Sequence, residues 1–176
     1  RATYRSDTGA VLGVVGADYA PHQPAELLEL ARLTVDAGPD DAHVEVLGSL
    51  RGGRIVFITI ALPGDIVIGG DVHMPRLVWA TSMDGTMATR GVVTMVRAVC
   101  WNTIRASFGS ARTSWAARHT SSLSGRAAEA RHALELTWKV SDNFRAEVEA
   151  LTRQPVTDRQ ADAVLNGLWP DDPDAS

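Results

Sequence analysis

The 176 residues carry 17 basic and 21 acidic groups, for a formal net charge of −4, and 45% of them are hydrophobic. That length and apolar fraction suit one core with a helical appendage rather than two independent folds. No run reaches the roughly 18–20 uncharged apolar residues that cross a bilayer, no apolar leader follows Arg1-Ala2-Thr3-Tyr4, and a single cysteine, Cys100, excludes an intrachain disulfide framework or a zinc site built on several thiolates. The expectation is a cytoplasmic protein of a reducing compartment, read from an internal piece of a longer chain because no initiator Met begins it.

In chain order, residues 3–5 and 11–15 flank Asp7-Thr8-Gly9 and predict a small hairpin. Pro24 opens a helix in which Leu27, Leu28, Ala31 and Val35 fall near helical spacing, and Gly38-Pro39 stops it. Residues 44–50 and 55–62 are β-branched, apolar runs around Arg51-Gly52-Gly53-Arg54 and predict a second hairpin. Residues 77–82 read as a further strand, turned by Asp84-Gly85 into an alternating run from 86 to 99. Period two then places Arg90 and Arg97 on opposite faces. Asn102 is positioned to cap a short helix over 103–108 that ends at Gly109, and residues 115–120 read as an edge strand. From about 124 to 153, apolar residues recur at three- and four-residue steps and predict the longest helix. Thr157 with Gln160 resembles a capping box before a final short helix. The fold class expected is α+β: an antiparallel, curved β-meander packed by helices. Residues 1–121 form its core and 122–176 a C-terminal helical appendage.

The net charge conceals segregation. Residues 1–50 and 132–176 each carry −5 and residues 51–85 are neutral, whereas residues 86–131 hold seven Arg against Glu129, a net +6. Sixteen of the seventeen basic residues are Arg, a bias that also pervades the rest of the chain, so Arg as a residue type does not by itself indicate phosphate chemistry.

Motifs for catalysis are sparse. The histidines at 22, 43, 73, 119 and 132 form no pair on one helix face, and acids are absent from 85 to 128, so no metal site is expected. Gly52-Gly53 and Gly69-Gly70 do not lead into a helix with a following Lys-Ser or Lys-Thr, which makes them hairpin or loop glycines rather than a phosphate cradle. Ser110 lacks the second glycine of a nucleophile elbow. Cys100 with His119 is the one nucleophile–base pair available, because a thiolate needs a base or positive charge nearby. Against it, Cys100 ends an apolar strand, where cysteine acts as a small buried hydrophobe. No cofactor is expected.

The basic stretch is more specific. Arg90, Arg97, Arg105, Arg112, Arg118, Arg126 and Arg131 are interleaved with Trp101, Phe108 and Trp115. Guanidinium groups neutralise phosphates while aromatic rings stack on bases, a combination that suits single-stranded nucleic acid. The alternative is pairing of these arginines with the acidic ends of the same chain.

Several ordered motifs carry a resemblance. They are residues 7–16, Tyr19 with Pro21 and Gln23, and Ser49-Leu50-Arg51-Gly52-Gly53-Arg54 with Val56-Phe57. Thr81-Ser82 before Asp84-Gly85, residues 96–100 running into Asn102-Thr103, and Arg118-His119-Thr120 complete the set. Together they resemble the phage/plasmid-like protein family, a domain of unknown function (nine-three-two). Met83 departs from that pattern, which has a His before Asp-Gly. A more distant similarity is to single-strand annealing proteins of the Rad fifty-two type, through the order helix, meander, then a helix ending as in residues 102–109. The resemblance implies DNA recombination by binding and annealing single-stranded DNA, with copies joined as a homo-oligomeric ring or filament. No bond-breaking residues are needed. Arg51, Arg54, Arg90, Arg97, Arg105, Arg112 and Arg118 would contact phosphates, and Trp101 or Trp115 would stack on bases. An enzyme using Cys100 and His119, or a structural oligomerising protein, are the other two readings.

Overall fold

The computed structural model describes residues 1–68, 70–95, 97, 100–110, 114–119, 150 and 153–168. Its centre is a five-stranded antiparallel sheet in the order β3 (His43–Leu50), β4 (Ile55–Ala61), β7 (Arg76–Ser82), β8 (Thr89–Thr94) and β9 (Ser114–Ala117). Every neighbouring pair is antiparallel and follows the chain, so the expected meander is present. Two hairpins stand apart from it: β1 (Ala2–Tyr4) with β2 (Val11–Val14), and β5 (Ile66–Ile68) with β6 (Asp71–His73). The first was legible from its turn residues. The second interrupts the meander between β4 and β7, with Gly70, of the glycine pair read as hairpin or loop, in its turn at φ 95°.

Two helices cover the sheet, one on each face. Helix α1 (Pro24–Ala37) begins where Pro24 cannot donate a backbone hydrogen bond. The Glu26 carboxylate accepts the Gln23 amide at 2.8 Å, fixing the first turn. Its Leu27, Leu30 and Ala31 pack on Ile58, Ile60, Leu77 and Trp79. Strand alternation sends Phe57, Val78, Ala80 and Val92 to the opposite face, where they meet Ile104 of α2 (Trp101–Ser110). Burial on both sides explains why β4 and β7 are near-continuous apolar runs rather than alternating ones. Helix α3 (Asp158–Leu168) starts as read: the Gln160 side-chain oxygen accepts the Thr157 amide at 3.0 Å. The structure is thus α+β with a C-terminal helix. No helix among the described residues is long and apolar enough to cross a membrane.

One aromatic side chain on each face is fitted to a glycine directly across the ladder. Gly48 is the register partner of Phe57, and a Cβ there would lie 2.7 Å from that ring. Gly91 is the partner of Trp79, and a Cβ there would lie 2.2 Å from the indole. The rings fold over positions where any side chain would collide with them.

Three expectations need correction. The run from 86 to 99 is not one strand: β8 begins only at Thr89 and ends at Thr94. The reason lies in the turn before it, where Asp84 Oδ1 accepts both the amide and hydroxyl of Thr86, and Ser82 Oγ donates to Met87 O. These side-chain bonds hold residues 84–87 out of the ladder. Because β8 ends at Thr94, Cys100 is not the buried end of a strand but an exposed residue. It also takes the capping position assigned to Asn102: Cys100 O accepts the Ile104 amide at 3.0 Å and Thr103 Oγ1 accepts the Cys100 amide at 3.0 Å. The helix thus starts earlier and continues past Gly109 to Ser110. The long helix read over 124–153 lies outside the described residues except at 150 and 153.

Candidate functional site

The α2 face gathers part of the basic stretch. Trp101, Ile104 and Phe108 are spaced so that one side of the helix meets the sheet; Ile104 is fully buried, and Trp101 and Phe108 close either end of the contact half-exposed. Over each of these two rings lies a guanidinium. Arg51 Cζ sits 4.3 Å from the Trp101 centroid, and Arg90 Cζ lies 5.9 Å from that of Phe108. Arg51 enters from the β3–β4 turn with a left-handed backbone, φ 53°, a conformation uncommon outside glycine. Arg90 projects from β8 because its register partners Ala80 and Ala116 place it on the α2 side. Arg105, on α2 itself, is exposed, one helical turn from Trp101. Among the described residues, no carboxylate forms an ion pair with Arg51, Arg90 or Arg105.

The other basic positions are dispersed. Arg54 shares the β3–β4 turn with Arg51 and is exposed. Arg97 is at the opposite end of the sheet, 3.8 Å from Glu45, whose carboxylate is gripped from the other side by Arg76 at 2.7 and 3.1 Å. The Arg76 bonds, with Arg97 adding to them, hold Glu45 below the usual carboxylate range. Trp115 belongs to the other face, packed edge-on against Trp79 with centroids 5.6 Å apart in the α1-side core. Arg112, Arg126 and Arg131 lie outside the described residues.

Arg118 lines a separate cleft of about 410 Å³ with Gly16, Tyr19, Gly85, Met87 and His119. Behind it stands a stack of three rings that no local sequence pattern announces. His119 is sandwiched between Tyr19, at 4.6 Å between centroids, and His22, at 4.3 Å. Both histidines are buried, at 6% and 1% exposure. His119 Nδ1 accepts the backbone amide of His22 at 3.3 Å, which places the hydrogen of the neutral ring on Nε2, 3.1 Å from the carbonyl of Met87. His22 Nδ1 is 2.6 Å from Thr89 Oγ1, which is 2.7 Å from Thr81 Oγ1; Tyr19 Oη donates to Ser82 O at 2.7 Å. Burial, then the neighbouring His22, pushes the His119 pKa down, and burial raises that of Tyr19. Tyr19, Thr81-Ser82, Asp84-Gly85 and His119 are motif residues from distant parts of the chain, and they meet here.

Cys100 and His119 have separate hydrogen-bond partners. The Cys100 thiol is 3.4 Å from Thr103 Oγ1, whose hydrogen bond lowers the thiol pKa. Both ring nitrogens of His119 are committed to His22 and Met87. Among the described residues, no group of three His, Cys, Asp or Glu side chains is arranged to hold a metal ion.

Comparison with known proteins identifies the chain at the level of family. It belongs to the family described as Domain of unknown function (DUF932), whose model matches residues 11–176. No curated protein and no solved structure matches the chain.

Proposed function

We propose that the α2 face binds single-stranded DNA without sequence preference, and that the protein anneals such strands in recombination of the phage or plasmid type. The observation that carries this reading is the set of Arg51, Arg90 and Arg105 around one helix, without carboxylate partners among the described residues, two of them stacked on Trp101 and Phe108. A guanidinium already held over an aromatic ring loses less freedom on meeting a phosphate, and its flat outer surface is itself a platform for a base. The succession of α1, the meander and α2 agrees with the element order of the annealing proteins and adds support of a weaker kind. Arg54 extends the face at one end. Copies placed side by side as a homo-oligomer would extend it beyond one molecule.

The test is fluorescence anisotropy of a labelled oligo-dT across a salt series. Each phosphate contact contributes about 0.7 to the slope of log affinity against log salt for a single strand, so Arg51, Arg90 and Arg105 together account for about 2. Arg51→Glu with Arg90→Glu and Arg105→Glu is expected to abolish retention at low salt, whereas Arg97→Glu leaves the slope unchanged. Absence of binding by the unaltered protein at low salt, or equal binding by the triple variant, would overturn the proposal.

A further inference from the structure

We propose that His119 and His22 form an acid-sensitive clasp that fastens residues 16–22 to the edge of the sheet and opens when His119 takes up a proton. The segment joins β2 to α1 and crosses the end of β8 and β9. Four contacts anchor it: Ala20 N donates to His119 O at 2.7 Å, His22 N to His119 Nδ1 at 3.3 Å, Tyr19 Oη to Ser82 O at 2.7 Å, and His22 Nδ1 pairs with Thr89 Oγ1 at 2.6 Å. Two of the four run through His119, whose ring also fills the space between Tyr19 and His22.

The arrangement favours the neutral ring. With Nε2–H directed at Met87 O, a second proton must go on Nδ1, which faces the His22 amide hydrogen 97 residues away in sequence. Acceptor would become donor, two N–H groups would point at each other in a buried site, and a cation would lie flat against a second imidazole. The charged groups around the site do not offset this. His22 and Tyr19 cover the two ring faces, Arg118 is the adjoining residue, and Asp18 lines the same cleft while remaining exposed. Backbone hydrogen bonds to Met87 and Ala20, and after them Glu26 on α1, favour the charged ring, and each ranks below burial and His22. Proton uptake therefore breaks the hydrogen bond from the His22 amide to His119 Nδ1 and loosens the stack, freeing the wall of the cleft formed by residues 16–19.

The clasp predicts that amide hydrogen exchange of Ala20 and His22, corrected for intrinsic rates, is at least about tenfold faster at about pH 5 than at about pH 7.5. His119→Gln, which can accept through Oε1 and donate through Nε2 but does not titrate, is expected to remove that pH response. The response is expected to persist in His43→Gln, which alters an exposed histidine. In the unaltered protein the ring-proton resonance of His119 is expected to titrate with a midpoint below 6.5, its ordinary value. A midpoint at or above that value, equal corrected exchange at the two pH values, or an undiminished response in His119→Gln would each overturn the proposal.

Discussion

The two faces of the central sheet are built from the same strands and differ in what closes them. On the α1 side Leu27, Leu30 and Ala31 seal Ile58, Ile60, Leu77 and Trp79, and half-buried Trp115 packs edge-on against Trp79. On the α2 side the apolar centre of Phe57, Val78, Ala80, Val92 and Ile104 is bordered by half-exposed rings carrying guanidinium groups. Among the described residues no guanidinium lies over a ring on the α1 side, whereas the α2 border is topped by cations that a ligand could reach. With the proposed function, stability belongs to one face and recognition to the other, which substitutions can separate.

The largest effect is expected where Trp79 overlies Gly91. Trp79→Ala removes a fully buried indole and should cost about 3–5 kcal/mol. Gly91→Ala acts through the same contact from the other side, since its Cβ would lie 2.2 Å from Trp79 Cζ3, and should cost about 1–3 kcal/mol. In the double variant the added methyl meets the space left by the indole, so the sum of the two losses should not be reached. Urea denaturation of the three variants measures this coupling, and additive losses would show that the contact is not what makes Gly91 necessary.

Acidification should act on the edge of the sheet rather than on either face. The His119 pKa is lowered on folding, chiefly by burial and then by His22, so as pH falls the unfolded chain takes up this proton before the folded one. Its contribution to stability is complete above 6.5 and is lost as pH drops through the depressed folded value. Thermal unfolding followed against pH should show Tm falling as pH drops from 6.5 to that depressed value and levelling off below it, and His119→Gln should flatten this part of the profile.

How much of this was legible in the sequence follows from the range of the forces involved. Periodicity and turn residues located both early hairpins, α1, β7 and β9, because each depends on neighbours within a few positions. They failed at 84–88, where Asp84 and Ser82 divert the backbone through side-chain bonds that alternation does not register. The same alternation runs on past Thr94, where β8 ends, and so misplaced Cys100 in a strand. The interleaving of Arg with aromatic residues singles out Trp101 and Arg90, which the fold brings to the α2 side of the sheet. Register alone separates Trp115 from them, and Arg51 joins them from a turn some fifty positions earlier. The His22–His119 stack was missed for the same reason. Helical spacing registers only histidines within a few positions, and these two pair across 97 residues of chain.

Arg51 offers the finest division between the two roles. Its backbone lies at φ 53°, where a side chain costs on the order of 1 kcal/mol that glycine avoids. The guanidinium over Trp101 returns about 0.5–1 kcal/mol as an exposed cation–π contact. Arg51→Gly exchanges one for the other, so its urea midpoint should match that of the unaltered protein. Its affinity for oligo-dT should nevertheless fall, and the salt slope should drop by about 0.7, the share of one phosphate contact. Arg51→Ala separates the terms: it loses the guanidinium and keeps the left-handed strain, so it should bind as weakly as the glycine variant and be less stable than it. If both variants kept full affinity, the conformation at residue 51 would belong to the β3–β4 turn alone, and recognition on the α2 side would rest on Arg90 and Arg105.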